Sequence, residues 1–215
     1  MKDMKNYRIF LVRHGITNGN LNGIYMGSGT DEALCDAGKA QLCELQNLFR
    51  YPQVKTVFSS PMLRAVETAD ILFPAADNKI VLTDLRENHF GEFEGKHIND
   101  LIADEHFKKW MTPAEHYTPE GGESALDFHV RCGAVLMKMF EYMMKSDIDE
   151  AACVTHGGVI MSMLAQRGIP KRNPEQWMAD SGCGYELHCT PELWMRDGIA
   201  EVTDILPYGY LKQPE

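Results

Sequence analysis

The run Arg8-Ile9-Phe10-Leu11-Val12, closed at once by Arg13-His14-Gly15, decides how the rest of the chain is read. Four consecutive apolar residues ending at a charged pair and a glycine describe a short buried strand that stops in a turn. Working outward, Asp36 to Phe49 carries Ala37, Leu42, Leu45 and Phe49 near one face of a helix. Val54 to Phe58 reads as a second strand. It runs into Ser59-Ser60-Pro61, where serine can cap and proline suits a first turn, so a helix to about Leu72 follows. Ile80 to Leu82 is a third strand. Ser124 starts the clearest helix, whose stripe Leu126, Val130, Gly133, Met137, Phe140 and Met144 is expected to face a core. A fourth strand, Ala151 to Thr155, ends at His156-Gly157-Gly158 before another helix. Tyr185 to Cys189 and Glu201 to Ile205 are further strand candidates.

This alternation predicts an α/β fold: a three-layer α/β/α sandwich with a mostly parallel central sheet. The 215 residues suit one domain, 1–215, large enough for a sizeable core. Within it, 109–122, with two prolines and two glycines, is a candidate lid or insertion, and 206–215 is expected to be a weakly structured tail.

Charge narrows the function classes. A net charge of −10 argues against nonspecific binding to nucleic acid or an anionic membrane, so an anionic substrate must be drawn in by a local basic pocket. No stretch is long enough to span a bilayer, and Ile9–Val12 is too short for a signal-peptide core. A cytoplasmic protein is expected. None of the six cysteines forms a Cys-x-x-Cys pair, which suits reduced, partly buried thiols better than a zinc site or a disulfide framework.

In parallel sheets, ligands gather at the carboxyl ends of the strands. Arg13-His14 follows the first strand, Ser59 to Arg64 the second, and His156 the fourth, while Glu87 follows the third. These segments are expected to meet along one edge. They bring two arginines, two histidines and a glutamate. Arginine offers a planar fork of donors matched to phosphate oxygens. Histidine can be a covalent nucleophile, and a carboxyl group of raised pKa can protonate a leaving group. The set suffices for phosphoryl transfer without a metal or other cofactor. The flanking arginines would repel a cation from His14 and His156.

The ordered series Leu11-Val12-Arg13-His14-Gly15, Asn20, Ser59-Ser60-Pro61-Met62-Leu63-Arg64-Ala65 with Thr68-Ala69, Leu85-Arg86-Glu87, Phe90-Gly91-Glu92-Phe93-Glu94-Gly95, Gly121-Gly122-Glu123-Ser124 and Val154-Thr155-His156-Gly157-Gly158 resembles the histidine phosphatase superfamily. The resemblance, to phosphoglycerate-mutase-like proteins, covers roughly residues 7 to 165. It implies that His14 attacks phosphorus and becomes a phosphohistidine. It implies that Arg13, Asn20, Arg64 and His156 bind the phosphoryl oxygens. Glu87 would protonate the leaving alkoxide and then activate water. The other ring nitrogen of His14 is expected to donate to a backbone carbonyl.

Three features depart from the family pattern. Ile16 stands where glutamate is frequent, and Ser28 where glycine is usual in the loop bordering the phosphate pocket. Cys35 replaces a Ser or Thr helix cap, leaving Asp36 as a substitute or a start weaker by about 1 kcal/mol. The Arg-His-Gly-x-Arg-x-Pro motif of the acid phosphatase branch is absent, since Thr17 and Gly19 fill those places.

The expected activity is hydrolysis of a small-molecule phosphate monoester, as in α-ribazole phosphatases. Two alternatives stay open: phosphoglycerate mutase-type transfer, and a catalytically silent phospho-ligand binding protein. The 36 positions between Glu87 and Glu123 are fewer than in the larger mutases. Trp110, Met111 and Tyr117 either shape the leaving-group pocket or pack the lid down. Monomer and homodimer are both compatible with the sequence.

Overall fold

The computed structural model describes residues 5–112 and 116–210. Its centre is a seven-stranded sheet in the order β3-β2-β4-β1-β6-β7-β5. The strands are β1 (Tyr7–Arg13), β2 (Thr56–Ser59), β3 (Asn78–Val81), β4 (Glu150–Thr155), β5 (Gly168–Ile169), β6 (Gly184–Cys189) and β7 (Ala200–Leu206). Neighbours from β3 to β1 pair in parallel; β6 runs antiparallel to both β1 and β7.

β1 shows why the sheet has two cores. Ile9 and Leu11 point into one apolar cluster, Phe10 and Val12 into another, because successive strand residues face opposite sides. The first cluster is covered by α6 (Ala125–Ser146) and α7 (Gly157–Arg167), the second by α2 (Asp36–Leu48) and α3 (Leu63–Leu72). The result is the expected α/β/α layering. A third, separate cluster of Phe93, Leu101 and Phe107 lies under α4 (Ile98–Ala103) and α5 (Glu105–Trp110). The remaining helices are α1 (Asn18–Leu21) and α8 (Pro191–Asp197).

Several expectations are corrected. The second strand begins at Thr56 rather than Val54, and α3 starts at Leu63 with Met62 as an N-cap that makes no side-chain bond. Pro61 precedes the helix, and Ser60 serves the site described below instead of capping. Ala37 is exposed, so α2 is rotated to bury Gly38, Leu42 and Leu45. The stripe read for α6 is off by about a residue at its start: Leu126 and Val130 are 69% and 59% exposed. The buried face is Cys132, Gly133, Val135, Leu136, Met139, Phe140 and Met143, which keeps Gly133 and Phe140 of that stripe. Apolar residues on both sides of this helix carry two overlapping periodicities, and contact with the sheet selects one. Cys35 caps α2 itself, its sulfur accepting from Gly38 N at 3.3 Å.

The segment expected to be a loose tail is structured through Tyr210. Leu206 is buried, the backbones of Arg50 and Tyr208 pair, and the Tyr210 hydroxyl donates to Asp180 at 2.8 Å. Residues 211–215 of that tail lie outside the described residues, as do 113–115 of the expected lid. Lys109 and Trp110, read as the start of an irregular stretch, close α5. Among the described residues no helix is long and apolar enough to cross a membrane.

Candidate active site

Parallel register sets the site's frame. Arg13 pairs with Thr155 and Ser59 with Val154, so β1, β2 and β4 end at one level. Just beyond those ends stand His14, Ser60 and His156, all buried. The His14 and His156 rings lie 5.1 Å apart, centroid to centroid. The chain after β3 turns through Thr83–Leu85 and delivers Glu87 to the same place.

His14 Nδ1 lies 2.7 Å from the carbonyl oxygen of Gly15. A carbonyl only accepts, so Nδ1 carries the proton and Nε2 keeps its lone pair. Burial, the Arg64 and Arg13 charges hold the imidazole down to about 3, against a backbone bond that favours the charged ring. The ring is therefore neutral at neutral pH. His156 is pushed well below its usual value by burial first, then by His14 and the arginines. Its Nε2 meets Ser60 Oγ at 2.8 Å.

Arg64 is 1% exposed and is aimed by two carbonyls: Thr30 at 2.8 Å and Gly27 at 2.9 Å. Arg13 donates to the carbonyl of Ala179 at 2.8 Å. Burial lowers both guanidiniums from their ordinary value, yet arginine keeps its charge across the physiological range. Two cations thus sit within a chain of strongly negative net charge. Arg13 Nε and His156 Nδ1 are buried without a hydrogen-bond partner. Such groups cost about 1–3 kcal/mol each unless something pairs with them.

Glu87 accepts from the backbone N–H of Asn88 and of Gly158, each at 2.9 Å. A Cβ on Gly158 would stand 2.5 Å from its carboxyl oxygen, which explains the glycine there. Burial raises the Glu87 pKa, opposed by those two N–H bonds and by Arg64 and Arg13. Asn20 spends its Oδ1 on the Thr17 backbone N–H and hydroxyl, at 3.1 and 3.2 Å, leaving its NH2 for the cleft it lines.

Arg13, His14, Asn20 and Glu87 line one cleft of about 600 Å³, with Arg64 and His156 buried beside it. A neutral imidazole with a free Nε2, flanked by two guanidiniums and a carboxyl group of raised pKa, can attack an anionic electrophile and protonate what leaves. Among the described residues no group of three or more His, Cys, Asp or Glu is placed to hold a metal ion.

The model of the histidine phosphatase superfamily, branch 1, matches residues 9–199. The chain belongs to that superfamily.

Other histidine phosphatases align with this one over most of its length. The adenosylcobalamin/alpha-ribazole phosphatase of Salmonella typhimurium is 28% identical over 82% of this chain and 87% of that protein. Phosphoglycerate mutase-like protein 4 of Arabidopsis thaliana is 30% identical over 97% of this chain and 94% of its own. The crystal structure of the alpha-ribazole phosphatase from Shigella flexneri superposes with a TM-score of 0.78 at 23% identity, covering 97% of this chain and all of that one, which shows a shared fold.

Further residues of this histidine phosphatase carry the geometry: Thr68, Glu92, Glu94 and Glu123 lie in motifs that the sequence displays, whereas Arg131 does not. Thr68 accepts from Gly15 N at 2.9 Å and donates to the Arg64 carbonyl at 2.6 Å, tying the two motifs together. Arg131 donates to the carbonyls of Asp84 and Arg86, both at 2.8 Å, and pairs with Glu123 at 2.6 Å, so it holds the segment that presents Glu87. Glu94 accepts from Gly27 N, Gly29 N and Thr30 Oγ1 at 2.9 to 3.0 Å, fixing the very loop whose carbonyls aim Arg64. Glu92 accepts from the Tyr117 hydroxyl at 2.6 Å. Glu92 and Glu94, carboxylates close to Glu87 in sequence, therefore hold loops in place. The motif Phe90-Gly91-Glu92-Phe93-Glu94-Gly95 was the signal for these two carboxylates. Of the residues around the expected lid, Trp110 lines the cleft, Met111 is 61% exposed, and Tyr117 packs on Phe93.

Proposed function

We propose that this single-domain histidine phosphatase hydrolyses small-molecule phosphate monoesters through a phosphohistidine on His14. His14 Nε2 attacks phosphorus in line as the ester oxygen departs. Arg13, Arg64, His156 and the Asn20 amide hold the phosphoryl oxygens and the charge that builds on them. Glu87 gives its proton to the departing alkoxide. It then takes a proton from the water that splits the N–P bond, returning His14 and releasing phosphate. The observation that carries this reading is the Nδ1–Gly15 bond: it leaves Nε2 as the one lone pair of a neutral ring between two arginines.

Neither a metal ion nor another cofactor is needed, since the arginines supply the positive charge. Hydrolysis is favoured over return of the phosphoryl group to a substrate by the short connection from Glu87 to Glu123, which Arg131 draws tight. An intact nucleophile and acid argue against a silent binding protein. We place the protein in the cytoplasm, with a small molecule rather than nucleic acid as its partner.

The test is a screen over many monoesters, with and without chelator. Turnover unaffected by chelator is expected; chelator-sensitive turnover would refute the metal-free mechanism. Acid-labile, base-stable phosphoryl label should accumulate on rapid quenching and vanish in His14→Ala, with turnover down by roughly 10⁴-fold or more.

A further inference from the structure

The cleft is larger than a phosphoryl group needs, and the rest of its lining has a definite character. Beyond Arg13, His14 and Glu87, its walls are Tyr25, Phe90, Trp110, Phe128, Met161 and Met178, together with neutral amides and hydroxyls and the imidazole of His129. No lysine and no arginine besides Arg13 lies among the described residues of that lining. Tyr25, Phe90 and Trp110 form one contact group, with ring centroids 4.3 Å, 5.5 Å and 5.9 Å apart. All three are only half-buried, as are Phe128 and Met161 of α6 and α7. Rings stacked on a small core yet left half open to a cleft offer faces and edges to a ligand.

Charge decides what that ligand can be. A leaving group with its own carboxylate or second phosphate would have to place that anion against aromatic and thioether surface, in a chain of net charge −10. No lysine or arginine of the distal wall would repay its desolvation. An uncharged, flat, apolar leaving group loses nothing there and gains ring contact.

We infer that the distal cleft, lined by Tyr25, Phe90, Trp110, Phe128 and Met161, is a specificity pocket for an uncharged aromatic leaving group. This rests on the phosphatase reading of the site. Substrates of the bisphosphate or phosphoglycerate kind are disfavoured by the same surface.

Leaving-group acidity must be matched, so the substrates are esters of primary alcohols: 2-naphthylmethyl phosphate against glycerol 1-phosphate and a phosphorylated hydroxy acid. The naphthylmethyl ester is expected to lead in kcat/KM by about 100-fold, mostly through KM. Trp110→Ala and, separately, Met161→Ala should each shrink that ratio by about tenfold. A ratio near one, a preference for the doubly anionic ester, or a ratio that neither variant changes would overturn the inference while leaving phosphate-ester hydrolysis intact. Calorimetry on the wild-type protein supplies an arm without turnover. A naphthylethyl phosphonate should bind at least about tenfold tighter than 3-phosphonopropionate, and equal or reversed affinities would overturn the pocket. No hydrolysis of any ester with that binding preference retained would overturn the phosphatase reading and leave the pocket standing.

Discussion

The two halves of the cleft are built on opposite principles. Its phosphate end is polar, buried and held by backbone: the Gly15 carbonyl pins His14, the carbonyls of Gly27 and Thr30 aim Arg64, and the N–H groups of Asn88 and Gly158 seat Glu87. Its distal end is a small aromatic core under α4 and α5, where Phe93, Leu101 and Phe107 are buried and Tyr25, Phe90 and Trp110 pack on them. Backbone groups cannot be moved by substitution, so the first half is suited to one reaction. Side-chain packing tolerates exchange of similar volumes, so the second half is where a change of substrate costs least.

After loss of the nucleophile itself, the largest expected effect breaks the phosphate end at its acid. Glu87→Gln should lower kcat for alkyl phosphates by roughly 10³-fold and for aryl phosphates by far less, since a phenoxide leaves without a proton. Equal losses would sink the general-acid assignment. The pH profile sharpens the same point. The raised Glu87 pKa predicts that activity falls on the alkaline side as that proton is lost. The His14 ring, at about 3 in the folded protein against an ordinary 6.5, predicts no acid limb from His14 near 6.5. Its linkage has a definite sign. Between those values the unfolded chain binds the proton and the folded one does not, so stability falls as pH drops through that window. Glu87 acts oppositely, binding its proton better when folded, so its contribution falls as pH rises from about 4.5 through its raised folded value. Urea unfolding of wild type and His14→Gln from pH 4 to 7 should show a shallower slope in the variant (~1.4 kcal/mol less for each pH unit at most).

Arg131→Ala should cost about 3 kcal/mol in urea unfolding, because it strands three carbonyls and leaves Glu123 with only Arg86 at 3.8 Å, and should lower kcat more than it raises KM. Arg131→Lys should recover part of the stability and little of kcat, since one ammonium cannot reach two carbonyls and a carboxylate together. Full recovery would deny Arg131 its positioning role. Phe107→Ala, at about 3 kcal/mol, strikes the other half. Amide exchange should speed up in α4 and α5 while β1 and β4 stay protected. Uniform loss of protection would mean that the aromatic core is not a separate unit. The smallest effect is Cys35→Ser, which should raise stability by about 0.5–1 kcal/mol, as a hydroxyl accepts from Gly38 N better than sulfur does.

The two halves were also unequally legible. Strand β1, the residues after it and the ends of β2 and β4 could be read directly, because each pairs a local apolar run with an adjacent polar motif. The aromatic core could not. Tyr25 meets Phe90 and Trp110 across gaps of 65 and 85 positions, and neither α4 nor α5 has enough turns to announce a period. The start of α6 misled for a related reason: Leu126 and Val130 obey helical spacing yet stand in solvent. Periodicity reports that a helix has an apolar face, not which neighbour covers it.

By itself, then, the sequence determined the α/β order of elements, the carboxyl-end location of the site, and five of the residues gathered there. Those follow from short-range facts: apolar runs, turn residues, and the chemistry of side chains at strand ends. Only the tertiary structure decided which nitrogen of His14 is free, which of three neighbouring glutamates faces the cleft, and what surface greets the leaving group. Each of these depends on contacts between segments distant in the chain, where burial and hydrogen-bond partners, not residue identity, set protonation and direction.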